Sequence, residues 1–543
     1  MVRLRPGQTG FEAKMNETDV FLKAAVAAPH HLAAATGRNL LAEGANAIEA
    51  MLGMAATIAV VYPHMNSIGG DGFWVIREPN GKVYYIEACG YVGSNATIAA
   101  YRGMGYDTLP PRGPLAAITI PGTVGGYTLA QDMAAAAGGR LSRGDLLGDA
   151  VRLAREGYPQ SRTEAEIEPF EFDALREAPG FAETYLVDGE IPRAGTLRKN
   201  RALADTLEHL GRTGFDDFYR GDISREIAAD MEKLGVPATR GDLEAYHAQQ
   251  REPLSLAFPG RVHYNSPPPT QGIAALFMLG LFQRLGKIKP ESFEHIHGLV
   301  EAAKRGLALR DRICTDFAHM PCDPAAFLAA DVLDREAAMI QMDRAASIPV
   351  PAAHGDTIWM GAIDAEGRAV SFIQSIYWEY GSGCVLPATG ILLQNRGISF
   401  SLDPKAFNPL MPGRRPFHTL SPALAVFADG RVMPYGSMGG DGQPQFQAQV
   451  FTRSHFGIPL VEAIDRPRFL YGKLWGTETP TLKLEPRFDD ALVRKLRAVG
   501  HDVELDTQPY SSRLGHAGAL IRYPDGHIEA AHDPRSDGGA AGL

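Results

Sequence analysis

Apolar residues recur at spacings of three and four over residues 32–43 and 46–61, and the pattern predicts two helices there. Gly44 stands where glycine commonly ends a helix. The run Gly69-Gly70-Asp71-Gly72 reads as a turn into a strand at 73–77, with 83–87 as its hairpin partner. Helical spacing returns at 143–156, where Ser142 offers an N-cap hydroxyl. It recurs at 201–210, 224–234, 271–285 and 292–312. From residue 325 the texture changes to Ala and Asp with scattered Met, ending in Pro349-Val350-Pro351-Ala352-Ala353. An extended, poorly packed connection is expected at that end. Beyond it, strands are expected at 357–363, 369–376 and 390–393, with turns at 364–367 and 381–383. A hairpin is expected from 423–427 and 432–435 around Asp429-Gly430. Helices and strands mix in both parts, which points to an α/β or α+β enzyme.

Composition narrows the classes. Hydrophobic residues make up 45% of the 543 and charged ones 21%, so a large core can form. Length alone suggests several domains. Gly (59) and Pro (38) stay below the level of a low-complexity chain, which excludes a disordered or collagenous protein. The 53 basic against 63 acidic residues argue against a nucleic-acid partner. Four cysteines without a CxxC spacing read as buried thiols of a reducing compartment. The mostly apolar run at 51–62 is too short to span a bilayer. No apolar stretch follows the first basic residues, so neither a secretory signal nor a membrane partner is expected. The expected location is the cytoplasm.

Other signals weigh little. His295 and His297 lie two apart in a helical stretch, where side chains diverge, so a shared metal is not expected. Cys314, His319 and Cys322 lack a fourth partner and ligand spacing. GxSxG, a P-loop and HExxH are all absent.

The chemistry gathers at His354-Gly355-Asp356-Thr357. A hydroxyl residue opens a strand directly after a connection that looks cleavable. Read alone, Thr357 is an ordinary strand threonine. If the 356–357 bond were cut, it would also carry an α-amine with a reference pKa of about 7.7–8.0. That amine could act as general base for its own hydroxyl.

Ordered blocks along the chain decide between these readings. They include Ala24-Ala25-Val26-Ala27-Ala28-Pro29-His30, Gly44-Ala45-Asn46-Ala47-Ile48-Glu49-Ala50, Ser67-Ile68-Gly69-Gly70 and Ile120-Pro121-Gly122-Thr123-Val124. They continue through Ser266-Pro267-Pro268-Pro269, Arg310-Asp311-Arg312, Gly390-Ile391-Leu392-Leu393-Gln394-Asn395, Arg415-Pro416-Phe417-His418-Thr419-Leu420-Ser421-Pro422 and Gly436-Ser437-Met438-Gly439-Gly440. Together these resemble the gamma-glutamyltransferase family over nearly the whole chain. The resemblance implies an α+β N-terminal-nucleophile hydrolase, an αββα sandwich of two stacked antiparallel sheets between helical layers. It implies self-cleavage between Asp356 and Thr357 into a large part, 1–356, and a small part, 357–543, that stay together as one interlocked unit. A dimer of such pairs is left open. The nucleophile is then Thr357, Ser375 holds its amine, and Gly439 and Gly440 form the oxyanion hole. No metal and no organic cofactor are implied.

The sequence departs from the transferases where they grip a glutamyl group. The family arginine that holds the α-carboxylate falls on Cys89, which cannot form a bidentate pair. Two α-amine positions become Arg396 and Ser399, a family Asn becomes Tyr377, and a Ser-Ser pair becomes His418-Thr419. Each lost charge-assisted contact is worth about 1.5–3 kcal/mol. Arg396 therefore reads as the group that meets an anionic substrate, or else as half of a structural ion pair. Tyr377, Asn395, His418, Thr419 and Asp441 are expected around the substrate. The runs at 417–419 and 438–445 resemble the oxamate amidohydrolase branch more than the transferases. The expected partner is a small, anionic amide resembling oxamate. The alternatives are a gamma-glutamyltransferase or glutathione hydrolase, a cephalosporin (glutaryl) acylase, and a non-catalytic binding protein that kept the fold. A short connection at 400–415 suggests an open site without the family's lid loop.

Overall fold

The computed structural model describes residues 18–167, 172–348, 355–472 and 481–543. The connection expected at 349–353 lies outside them. Among the described residues, seven strands of the two large sheets precede residue 356: β1 (Asp19–Phe21), β2 (Ala25–Ala28), β3 (Asp71–Arg77), β4 (Val83–Ala88), β5 (Gln249–Arg251), β6 (Leu254–Phe258) and β7 (Arg261–Asn265). Another seven follow in the same two sheets: β8 (Asp356–Ile363), β9 (Ala369–Tyr377), β10 (Ala423–Phe427), β11 (Val432–Ser437), β12 (Ala517–Arg522), β13 (Ile528–His532) and β14 (Gly539–Gly542). One sheet has the order β14-β2-β8-β9-β3-β4-β5 and the other β1-β13-β12-β11-β10-β7-β6. Both are antiparallel and both interleave strands from either side of residue 356. Thus β2 pairs with β8 on one edge and with β14 on the other.

The inner faces of the sheets meet over Phe73, Tyr85, Trp359, Ile373, Leu424 and Leu520. Trp359 sits there because two glycines make room. A Cβ on Gly436 or Gly518 would lie 2.0 or 2.4 Å from its ring. The indole N–H is not left unpaired, since it donates to Ser371 Oγ at 2.9 Å.

Helices cover the outer faces. The layer on the first sheet contains α1 (His31–Ala42), α2 (Ala47–Val61), α3 (Thr123–Ala136), α4 (Arg143–Glu156), α5 (Arg201–Thr213) and α6 (Asp222–Leu234). The other layer contains α7 (Gly272–Phe282), α8 (Phe293–Ile313) and α9 (Gln443–His455). The result is an αββα sandwich of the α+β class, as the resemblance implied. The helix starts follow their caps, with capping boxes of Asn46 with Glu49 and Ser142 with Asp145. Every residue of α2 is buried, because the helix lies between the sheet and other helices. Its first N–H, from Ala47, donates to Asp364 Oδ2 at 3.0 Å. That bond ties the β8–β9 turn to the helical layer.

One expected strand is absent. Residues 390–393 form no ladder; Leu392 and Leu393 make isolated bridges to Val385 and Gly69. Gly390, at φ +68°, turns the chain, so the segment crosses the sheet end and runs beside no strand. Among the described residues no helix is long and apolar enough to cross a membrane.

Candidate active site

β8 and β9 pair regularly from Ile363 with Ala369 back to Ile358 with Gln374, and then the register shifts so that Asp356 faces Tyr377. Thr357 is the residue inside that shift. Such a bulge re-aims a side chain that a regular strand would point elsewhere. Thr357 is 1% exposed, and its Oγ1 donates to Ser375 Oγ at 3.2 Å. Ser375 Oγ also receives the Tyr377 N–H at 2.9 Å and Arg396 Nη2 at 3.2 Å. Tyr377 has φ +84°, a strained conformation for a bulky residue. The strain marks where the chain leaves the sheet and lays the phenol ring under Arg396, 3.9 Å from guanidinium carbon to ring centre. The same ring would lie 3.0 Å from a Cβ on Gly355, so glycine gives the ring close access two residues before Thr357.

Arg396 opens a short 3₁₀ turn, Arg396–Ser399, and is buried. Its Nη1 donates to Thr419 Oγ1 at 3.3 Å, while Nε has no partner among the described residues. No carboxylate among those residues pairs with it within 4 Å, so the alternative of a structural ion pair finds no acidic partner. Burial pulls its pKa down to about 10, against the opposing pull of Tyr377, Asp71 and Cys89.

Sequence reasoning took Asp71 only as part of a turn. In the fold it starts β3 directly beside Ser375 of β9. Its Oδ1 accepts the N–H groups of Gly90 at 3.0 Å and Gly122 at 3.1 Å. Its Oδ2 has no hydrogen-bond partner among the described residues and lies 3.6 Å from His418 Nε2. Burial raises the Asp71 carboxyl to about 7, although the Gly90 N–H and the charge of Arg396 hold it down. His418 packs its ring edge on Phe73 at 5.0 Å. Burial, then Arg396 and Arg415, push its pKa well below the usual histidine range, so it is neutral. Cys89 is buried and burial raises its thiol pKa, so no charge replaces the family arginine there. An acidic residue inside a glycine-rich turn was the available signal for Asp71.

Gly439 and Gly440 follow β11 at φ +117° and +51° and lead through a 3₁₀ turn, Gly440–Gly442, into α9. Conformations of this kind favour glycine. The two residues stand ahead of a helix N-terminus, where backbone N–H groups favour negative charge. A brace that sequence reasoning missed holds this loop. Gln271 Nε2 donates to the carbonyls of both Gly440, at 2.7 Å, and Thr419, at 2.5 Å. Arg310 Nη1 in turn donates to Gln271 Oε1 at 2.8 Å. Arg310-Asp311-Arg312 was visible as a motif, but nothing local showed what it reaches.

Two residues expected at the substrate also have partners within the protein. The Asn395 amide donates to Pro111 O at 2.9 Å and accepts the Trp378 N–H at 3.2 Å, so it serves the backbone. Asp441 forms a buried ion pair with Arg310. Thr357, Ser375, Tyr377, Arg396 and Thr419 form one connected group, joined through Gln271 to the glycine loop. His418 turns to Asp71. Phe400, Leu402 and Leu410 of the short connection pack on Val92, Tyr101 and Ile118, and the connection folds inward.

Among the described residues, one group could hold a metal: His297, Glu301 and His501, with ligand atoms within 4.8 Å of one another. It lies apart from Thr357, between α8 and the chain near residue 501. The Lys304 ammonium already supplies the cation, 2.7 Å from Glu301 Oε1. His297 bonds to His501 at 2.8 Å and to Gln341 O at 2.9 Å. His295 bonds instead to Thr452 at 2.9 Å, on a different side of the helix.

Comparison with known proteins follows the same outline. The family model for gamma-glutamyltranspeptidase matches residues 33–543. The oxamate amidohydrolase proenzyme of Klebsiella pneumoniae is 48% identical over 531 residues, covering 97% of this chain and 100% of that protein. The glutathione hydrolase-like YwrD proenzyme of Bacillus subtilis is 35% identical over 539 residues, covering 97% and 100%. The cephalosporin acylase structure from Bacillus halodurans superposes with a TM-score of 0.88 at 28% identity, covering 100% of this chain and 99% of that one.

Proposed function

The chain belongs to the gamma-glutamyltranspeptidase family, and within it we propose a self-processing threonine amidohydrolase for a small anionic amide of the oxamate type. It is an amidohydrolase of the N-terminal-nucleophile class. Thr357 Oγ1 first attacks the carbonyl carbon of Asp356. The C–O bond forms, the C–N bond breaks and water opens the ester. Residues 1–356 and 357–543 stay interleaved through both sheets. The new α-amine of Thr357 then takes the proton of its own hydroxyl as that oxygen attacks the substrate amide. Backbone N–H groups of Gly439 and Gly440 receive the developing oxyanion. The protonated amine leaves, and water releases the acid from the acyl-enzyme.

One observation carries the substrate reading: Arg396 is a buried cation without a carboxylate partner among the described residues, joined to Thr357 by two hydrogen bonds through Ser375. A carboxylate there sits next to the scissile carbonyl, as in oxamate, whose two carbonyl carbons are bonded. A glutamyl carboxylate lies several bonds further away. The named activity of the Klebsiella relative supports the same substrate class. The four unpaired cysteines of this chain, of which Cys322 is exposed, suit a reducing cytoplasm.

The test combines intact-mass measurement of wild type and Thr357→Ala with a panel of oxamate, glutaryl, aromatic acyl and gamma-glutamyl amides. Wild type should split before Thr357 and prefer oxamate, and Thr357→Ala should stay whole. An uncut wild type, or faster turnover of a gamma-glutamyl anilide than of oxamate, would defeat the reading.

A further inference from the structure

Beside Arg396 the fold buries a carboxylate and an imidazole that the amide chemistry leaves unused. Asp71 is 1% exposed and His418 0%. Asp71 Oδ2 and His418 Nε2 face each other at 3.6 Å, and neither has a hydrogen-bond partner among the described residues. An unpaired buried polar atom costs about 1–3 kcal/mol, and more if charged. One proton held between the two would satisfy both. The pair cannot easily move apart, because Asp71 Oδ1 is pinned by the N–H groups of Gly90 and Gly122 and the His418 ring by Phe73.

Charge balance supplies the second argument. In the empty site the positive charge of Arg396 offsets an ionised Asp71. An anionic substrate brings another negative charge to the same cation, and burial leaves little water to screen the two anions. We propose that the site takes up one proton together with its anionic substrate, lodged on the Asp71–His418 pair, so that this pair determines acceptance of an anion at Arg396. The proposal rests on Arg396 being the carboxylate receptor. The proton comes from bulk solvent, and the site keeps the same net charge before and after binding. Two coupled groups share such a proton, and the titration belongs to the pair.

In the processed enzyme the Thr357 α-amine, with a reference pKa of about 7.7–8.0, can also take a proton near pH 8. An Asp71→Asn variant separates its uptake from the pair's. The remaining groups facing the pair do not compete for the proton. Burial holds the Cys89 thiol and the Tyr219 and Tyr246 hydroxyls in their neutral forms. Arg415, which also acts on His418, is paired with Glu87 at 3.2 Å. The raised Asp71 carboxyl, at about 7, means that the empty pair loses its proton just above neutrality.

Isothermal titration of the processed enzyme tests this, with pyruvate as the probe. Pyruvate carries a methyl group where oxamate carries its amine, so it has no amide to cut. Heats measured in phosphate and in Tris give the number of protons taken up. About one proton per pyruvate is expected near pH 8, falling toward zero below about pH 6, with affinity weakening about tenfold per pH unit above neutrality. Asp71→Asn keeps the Oδ1 acceptor and should remove both the uptake and the slope. Arg396→Met should weaken binding about tenfold or more. Binding by wild type near pH 8 without proton uptake, or uptake that persists in Asp71→Asn, overturns the proposal and leaves the anion receptor standing. Unchanged binding by Arg396→Met, or none by wild type, overturns the receptor and the proposal with it.

Discussion

Replacing Arg396 with methionine separates its charge from its structural contacts. The guanidinium donates to Ser375 Oγ at 3.2 Å and to Thr419 Oγ1 at 3.3 Å, so its removal also loosens the neighbours of Thr357. A bare loss of activity would therefore say little. Comparing oxamate with oxamide isolates the charge, because oxamide replaces the carboxylate with a second carboxamide and keeps the scissile bond. Both substrates feel the loosening, but only oxamate loses a charge-assisted contact. That contact is worth about 1.5–3 kcal/mol. At about 1.4 kcal/mol per factor of ten, the ratio of kcat/KM for oxamate to that for oxamide should fall by about 10- to 150-fold. Methionine fills part of the same volume and can pack on the Tyr377 ring, which limits collapse. The assay is ammonia release, run after intact mass shows the 357–543 fragment. An unchanged ratio in a fully processed variant would refute the assignment of Arg396 to the substrate carboxylate.

Other substitutions probe separate links. Gln271→Leu leaves the carbonyls of Gly440 and Thr419 without their shared donor; kcat should fall toward the about 100- to 1,000-fold loss of an oxyanion donor, with KM changed far less, in steady-state kinetics. Gly436→Ala places a methyl group 2.0 Å from the Trp359 ring; a loss of about 1–3 kcal/mol or more is expected in urea unfolding, and wild-type stability would contradict the packing. Asp71 titrates higher in the folded chain than in the unfolded one, so the native state binds more protons between about pH 4 and pH 7. Stability should fall as pH rises through that window, by at most about 4 kcal/mol, and Asp71→Asn should flatten the decline in urea melts at several pH values.

Much of the local structure was legible from short patterns. Asn46 and Ser142 start helices because their side chains satisfy N–H groups a few residues away, a relation contained within one turn. The apolar runs at 357–363 and 369–376 foresee β8 and β9, and the strand-opening position of Thr357 was visible before its bulge was. The segment at 390–393 misled because an apolar run reads alike whether it joins a ladder or crosses a sheet end.

The sequence by itself determined helices α1, α2 and α4 to α8, the strands β3, β4 and β8 to β11, the hydroxyl at Thr357, the glycine pair after β11 and the loss of an arginine at Cys89. These depend on residue identity and near neighbours. Tertiary structure decided which charges remain partnered. Arg310, 131 residues from Asp441, and Pro111, 284 from Asn395, engage those two residues, which no local pattern shows. Asp71 and His418 each look ordinary in the chain, and become a pair only when β3 passes beneath the segment after Arg415. Burial then changes their protonation, because desolvation depends on everything packed around a group and not on the group itself.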